Sequence, residues 1–159
     1  MNSMKFTKKQ RIFELKEAMI YVTVLSAIIL GAVYYSSNLE LIGFILVGLS
    51  ILPLIALRMT AEKIREGISE IVFGAVNTGL ITLMALGGYQ LEGILGAVIG
   101  VAVGDAVTEG FSGILGGEVT EMLMKRGIKE KIDPLISSLG KMAGALLGGG
   151  IVLLIFSFI

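Results

Sequence analysis

Two apolar runs in the middle of the chain decide the fold: GISEIVFGAVNTGLITLMALG (residues 67–87) and GILGAVIGVAVGDAVTEGFSGILGG (residues 93–117). A helix that crosses a bilayer needs about twenty mainly apolar residues, and each run is long enough. A short link joins them, so they predict an antiparallel pair of helices. Further outward, three more stretches qualify as spans: Ala18 to Tyr35, Glu40 to Leu57 and Leu135 to Ile159. The sequence therefore predicts an all-α integral membrane protein with five transmembrane helices.

The composition excludes several classes of protein. Apolar residues make up 55% of the 159 residues and charged residues 16%, with a net charge of zero. The mean hydropathy is +0.90, and a soluble domain of this size would bury too little surface to hide so much apolar material. The chain has no Cys and no His, which excludes thiolate and imidazole metal ligands. Without a basic stripe, nucleic acid is not an expected partner; the lipid bilayer is.

The basic residues indicate the orientation in the membrane. All 13 Lys and Arg residues fall in three clusters. These clusters precede the first span, follow the second and follow the fourth. Cytoplasmic loops retain Lys and Arg, so the amino terminus is predicted to be cytoplasmic and the carboxyl terminus outside, in the cell membrane. The basic residues are Lys5, Lys8, Lys9, Arg11, Lys16, Arg58, Lys63, Arg65, Lys125, Arg126, Lys129, Lys131 and Lys141.

One transmembrane domain is expected, with parts of different character. Residues 1–17 form a basic lead that is interpreted as an interfacial helix from Phe6 to Glu17. Residues 18–57 are a scaffold pair of helices, and Pro53 is expected to kink the second of them. Residues 67–117 are a polar, Gly-rich pair. Residues 118–134 form a charged cytoplasmic segment, and residues 135–159 form the last helix.

The candidate functional residues lie in the Gly-rich pair. Asp105 and Glu109 are four residues apart, so they lie on one face of a helix. Ionisable groups inside a membrane are expensive and usually functional. At 1.5 Å per residue, Asp105 lies about 18 Å from the cytoplasmic end and Glu109 about 12 Å. Asn77 and Thr78 lie about 16 to 18 Å deep in the preceding span. These four residues are predicted to form a polar layer between spans three, four and five. Their oxygen atoms suit a hard divalent cation as substrate.

Two other interpretations of the carboxylates remain open. Proton relay by Asp105 and Glu109 uses the same residues. The structural alternative is a buried ion pair between Glu109 and Lys141, with no transport. No cofactor is expected. An enzyme is not expected either, because Lys141 beside Ser137 and Ser138 is weak support for nucleophilic catalysis.

Glycine recurs at every fourth position in two spans: at Gly96, Gly100 and Gly104, and at Gly140, Gly144 and Gly148. Small residues at this spacing let helix backbones approach closely. Packing within the chain is one explanation. The other is that one of the two glycine ladders forms a homodimer interface, and a homo-oligomer is the predicted partner.

Part of the Gly-rich pair of helices resembles the vacuolar iron transporter family. The run from Glu70 to Ala75, followed by Gly79 to Thr82, is similar to the family's first helix, and the run from Gly104 to Gly110 is similar to its second. The resemblance implies proton-coupled export of Fe²⁺ or Mn²⁺ by a dimer of five-helix protomers. The chain departs from the family at Thr78, where the family has a metal-handling Asp, and at Glu109, where it has a Met. The order of helices differs as well.

Two functions of different classes follow from these observations. The first is a transporter of cations, most simply divalent metal exchanged for protons, with Asp105 and Glu109 as the exchanging pair. The alternative is a non-transporting subunit whose glycine ladders and carboxylates dock it into a larger membrane complex.

Overall fold

A computed structural model describes residues 8–35, 41–60, 65–125 and 134–158. These residues are helical almost throughout, and the described part contains no strand. The predicted all-α class is confirmed. The helices are α1 (Lys8–Tyr35), α2 (Ile42–Leu49), α3 (Ile51–Thr60), α4 (Arg65–Lys125) and α5 (Pro134–Ser157). Four helical stretches in the described chain are long and apolar enough to cross a membrane: Lys16–Tyr35, Ile42–Met59, Gly67–Phe111 and Pro134–Ser157.

The lead and the first span form one helix. From Lys8 to Tyr35, α1 continues without a break, so the described part of the basic lead is not a separate interfacial helix. The second span is interrupted at Ser50, between α2 and α3. Proline has no N–H, and its ring crowds the carbonyl four residues earlier. For Pro53 that carbonyl belongs to Leu49, the last residue of α2. The predicted kink therefore falls within a turn of the junction between α2 and α3, where Ser50 keeps helical backbone angles.

The long helix α4 folds back on itself. Glu92 and Gly93 have non-helical backbone angles, and the φ of Gly93 is +60°. Met84 and Gly100 are in backbone contact, although sixteen residues of straight helix would hold them about 24 Å apart. Residues 65–91 are called the first arm of α4 below, and residues 94–125 the second arm. The reversal falls where the sequence predicts the link between two spans, and the second arm continues past the predicted end at Gly117 to Lys125.

α5 is the central helix of the bundle, and it contacts α1, α2, α3 and α4. Its packing surface is made of small residues. Gly144 lies against the carbonyl of Ile71, and Gly148 lies against the carbonyl of Ala75. Residue numbers rise together along this contact, so α5 and the first arm run parallel. On another side of α5, Gly150 lies against Val47. The glycines let two neighbouring backbones reach α5 closely, which places this helix in the centre.

The two ends of the bundle differ in chemistry. Near one end, a core cluster ties α1, α3 and α5 together, and the exposed Lys16 and Arg58 flank it. Near the other end lie Tyr34, Tyr35 and Tyr89, all exposed. The cluster consists of Ala18, Leu25, Leu57, Leu135, Ile136 and Leu139. Lys16 and Tyr35 are nineteen residues apart on α1, about 28 Å along the helix, which matches a hydrocarbon layer of about 30 Å.

Candidate functional site

The second arm of α4 packs on the first arm along a single stripe of small residues. Gly96 lies against the carbonyl of Gly88, and a side chain at Gly104 would lie 3.1 Å from the Cα of Ile81. One turn further, Thr108 continues the stripe and is only 7% exposed. The hydroxyl of Thr108 donates to the carbonyl oxygens of Gly104, at 3.0 Å, and of Asp105, at 3.1 Å. Both glycine ladders are therefore used inside the chain, which confirms internal packing as one of their roles.

Asp105 and Glu109 lie on a different side of the second arm. A helix turns by about 100° per residue, so each carboxylate is about 100° round the helix from the buried Gly104 and Thr108. Both residues are exposed, as are Ala102 and Ala106 beside them. The expected common face for the two carboxylates is present. However, that face points away from the stripe that holds the two arms together.

The depth of Asp105 follows from the register of the two arms. Contacts between Gly100 and Met84, and between Gly104 and Ile81, place Asp105 level with residues 79–80 of the first arm. That level is about 20 Å from Glu66, near the basic end, and about 14 Å from Tyr89. Asp105 is thus level with the middle of the first arm, midway between Gly67 and Tyr89.

Asn77 and Thr78 are half-buried in the first arm. The register places Asn77 level with Thr108 rather than with Asp105. Thr78 instead faces α5, where its methyl carbon would meet a side chain at Gly149 at 3.3 Å. Among the described residues, no hydrogen bond or ion pair joins Asp105 to Asn77 or Thr78, and no three acidic side chains converge as a metal cluster would. The four-residue layer stays a prediction.

Lys141 has a different partner from the one that the sequence suggests. Its Nζ lies 3.7 Å from Oε2 of Glu70 and 5.5 Å from the centre of the Phe73 ring. Glu109 lies about five residues deeper along the bundle than Glu70, or about 8 Å. Side chains tilt toward the amino end of their own helix. Because α5 and the second arm run in opposite directions, the side chains of Lys141 and Glu109 point away from each other.

The Lys141–Glu70 pair is only partly shielded. The side chain of Lys141 is 53% exposed and that of Glu70 is 16% exposed. Ser138, which together with Lys141 was the weak signal for catalysis, donates its hydroxyl to the carbonyl of Pro134 at 2.7 Å. Glu70 and Thr108 are not among the predicted site residues. The spacing of Thr108, four residues after Gly104, is the signal that it belongs to the buried stripe.

A cleft of about 310 Å³ opens between the first arm and α5, near the end that carries Tyr89. It is lined by apolar side chains of both helices and by Gln90. None of the predicted site residues lines it. The acidic residues Glu118 and Glu121 lie on the part of α4 whose side chains are not described, and Glu130 and Asp133 lie outside the described residues.

Comparison of the chain with known protein families, curated proteins and solved structures gave no match.

Proposed function

We propose that this chain is a multi-pass protein of the cell membrane that crosses the bilayer five times, with the amino terminus in the cytoplasm. Two observations support the number of crossings. The stretch Gly67–Phe111 has 45 residues, about 68 Å as a straight helix, and it reverses at Gly93. The orientation is supported by Lys16 and Arg58, which lie together at one end of the bundle, since basic residues stay cytoplasmic.

Within this membrane protein, we propose a transporter of cations, most simply divalent metal such as Fe²⁺ or Mn²⁺ exchanged for protons. The observation that carries the proposal is the position of Asp105: a carboxylate level with the middle of the first arm, with Glu109 one turn away on the same face. Carboxylate oxygens bind hard cations. Protons and a metal ion compete for the same oxygen atoms, so binding of one displaces the other. Such competition gives coupled exchange without an enzymatic step.

The same geometry carries the second candidate, a non-transporting subunit of a larger membrane complex. Its supporting observation is the exposure of Asp105 and Glu109 on the outside of the single chain. Carboxylates at this depth face a protein interior or a wet cavity rather than acyl chains. In a transporter, a helix that covers this face would enclose the path of the ion. In an assembly subunit, the helix that covers this face belongs to the partner protein.

Flux measurement in liposomes that contain only the purified chain separates the two functions. A transporter moves Mn²⁺ or protons down an imposed gradient, and Asp105→Asn abolishes the flux, because the amide keeps the shape but loses the charge. Glu92→Gln is the matched control, since Glu92 is an exposed carboxylate at the reversal of α4, and it should retain flux. Absence of flux from the folded wild-type chain would favour the assembly role over transport. Full flux from Asp105→Asn would contradict the role given to that carboxylate.

A further inference from the structure

A shallow groove of about 310 Å³ lies on the surface of α1. Its lining residues, which together are called the α1 groove here, are all exposed; they are Met19, Ile20, Thr23 and Val24. Within residues 16–35, only Ala18 and Leu25 are buried, and both belong to the core cluster. A helix turns by about 100° per residue, so Ile20 and Thr23 lie about 160° and 140° round α1 from Ala18. The α1 groove therefore opens to the outside of the bundle.

Lys16 lies one turn before the α1 groove on the same face of the helix. It precedes Met19 by three residues, Ile20 by four and Thr23 by seven, which are spacings at which helix positions share a face. Its side chain is exposed, and within the described chain no hydrogen bond or ion pair engages its ammonium group. The neighbouring Glu17 is about 100° away round the helix. Because side chains tilt toward the amino end of their helix, the ammonium group extends away from the groove and toward the basic end of the bundle.

Thr23 supplies a second polar group, inside the groove. A hydroxyl group in a helix can donate to a carbonyl oxygen of the preceding turn, as the hydroxyls of Thr82 and Thr108 do. The hydroxyl of Thr23 makes no hydrogen bond within the described chain. It can therefore donate to an acceptor atom of a molecule that enters the groove.

The charge, the hydroxyl and the apolar groove together fit an amphipathic anion. The ammonium group of Lys16 lies at the basic end, and the hydroxyl of Thr23 lies about 10 Å further along the helix. In the orientation proposed above, this end belongs to the cytoplasmic leaflet, where anionic lipids give the surface a negative potential. A groove of about 310 Å³ is at the small end of ligand pockets, which hold roughly 300 to 1,000 Å³. It suits one acyl chain rather than a whole helix.

We propose that Lys16 and the α1 groove bind one anionic phospholipid of the cytoplasmic leaflet. The phosphate pairs with Lys16, an ester carbonyl accepts from Thr23, and one acyl chain follows the apolar side chains of the groove. A second copy of the chain is a poorer occupant. Two copies in the same orientation would bring Lys16 against Lys16 at equal depth, and like charges repel. The inference rests on the membrane orientation proposed above and is independent of cation transport.

Native mass spectrometry of the full chain, released from detergent micelles, tests the site with two defined lipids. The probes are phosphatidylglycerol and phosphatidylcholine with identical acyl chains, and the dissociation constant of the first lipid adduct is measured for each. The wild-type chain should bind phosphatidylglycerol about fivefold more tightly, as expected for one basic residue beside an anionic lipid. Lys16→Gln should remove this preference, and Lys16→Arg should keep it. The matched control Arg58→Gln should also keep it, since Arg58 is an exposed basic residue at the same end of the bundle.

Thr23→Val tests the groove itself, because valine keeps the shape of threonine and removes the hydroxyl. It should weaken the binding of both lipids by about two- to tenfold, as expected for one hydrogen bond, and leave the preference between them unchanged. Unchanged binding of both lipids would overturn the role given to Thr23.

Equal affinity of the wild-type chain for the two lipids would overturn the proposal. So would a preference that survives Lys16→Gln or that Arg58→Gln removes, since the charge of the whole surface would then attract the lipid. Displacement of phosphatidylglycerol by soluble glycerol phosphate would show that phosphate alone is bound, without the groove. A lipid-free dimer at saturating lipid would also contradict the proposal, because a second copy would then occupy the groove. Loss of the lipid preference in a chain that still moves cations would overturn this inference alone.

Discussion

Gly144→Ala should destabilise the protein, although alanine is ordinarily the better residue in a helix. A methyl group at Gly144 would overlap the carbonyl of Ile71 and lie 2.8 Å from the backbone nitrogen of Ala75. Ordinary contacts begin at 3.4 Å, so α5 and the first arm must separate by at least about 0.6 Å. Overpacking of this kind costs about 1 to 3 kcal/mol, and here both obstructing groups are backbone atoms that cannot rotate away.

Gly110→Ala is the matched control, because a methyl group there has nothing within 4 Å. It should be neutral or gain up to about 1 kcal/mol from the preference of helices for alanine. The assay is equilibrium unfolding of both variants in mixed micelles of a mild detergent and dodecyl sulfate, followed by circular dichroism. The two variants should differ by at least about 1 kcal/mol, with Gly144→Ala the less stable. Equal stability would refute the close parallel packing of α5 on α4.

Two further predictions concern the ion pair and the reversal of α4. Lys141→Met should cost on the order of 1 kcal/mol, because it leaves the largely buried Glu70 without its cation. The double variant Glu70→Gln with Lys141→Met should recover most of that loss in the same unfolding assay, and a double variant no more stable than Lys141→Met would show that the pair does not matter. Gly93→Ala should cost about 1 to 3 kcal/mol, because φ is +60° there and alanine is strained in that conformation. Gly87→Ala, with open space around it, is the control, and equal stability of the two variants would contradict the backbone conformation at the reversal.

The helices and their order could be predicted because they depend on local sequence. Apolar length marks each span, Pro53 marks the break in the second, and the residues around Gly93 mark the reversal. The central position of α5 was harder to predict. Glycine at every fourth position indicates that another backbone approaches closely, but it does not indicate which helix that backbone belongs to. In this chain Gly144 meets the first arm, while Gly150 meets α2.

The level of Asp105 along the bundle follows from the helical rise alone, whereas its direction follows only when the packed face of the helix is considered as well. Counting residues from one end of a helix uses only the helical rise, so it gives the level of a residue along that helix. The direction of a side chain depends also on which face of the helix packs. The spacing already held that information, because Gly100, Gly104 and Thr108 form one stripe, and Asp105 is about 100° away from it. The glycine stripe and the carboxylates lie on different faces of the second arm. When the stripe packs against the first arm, the carboxylates therefore cannot point into that contact.

The partner of Lys141 was missed for a related reason. Equal depth suggests a pair, but the direction of each helix decides where a long side chain reaches. Lys141 extends toward the amino end of α5, where Glu70 of the parallel first arm lies within 3.7 Å. Without the helix directions, the sequence alone could not show whether Glu70 or Glu109 is the partner of Lys141.

Cysteine accessibility at the reversal of α4 tests the account most directly, because the membrane placement of Asp105 depends on that reversal. The chain has no cysteine of its own, so single cysteines at Gln90, Ser37 and Met59 can be labelled with an impermeant maleimide. With five crossings, Gln90→Cys and Ser37→Cys should react from outside the cell, whereas Met59→Cys should react only from the cytoplasmic side. Reaction of Gln90→Cys from the cytoplasmic side, on the same side as Met59→Cys, would contradict the five crossings and the depth assigned to Asp105.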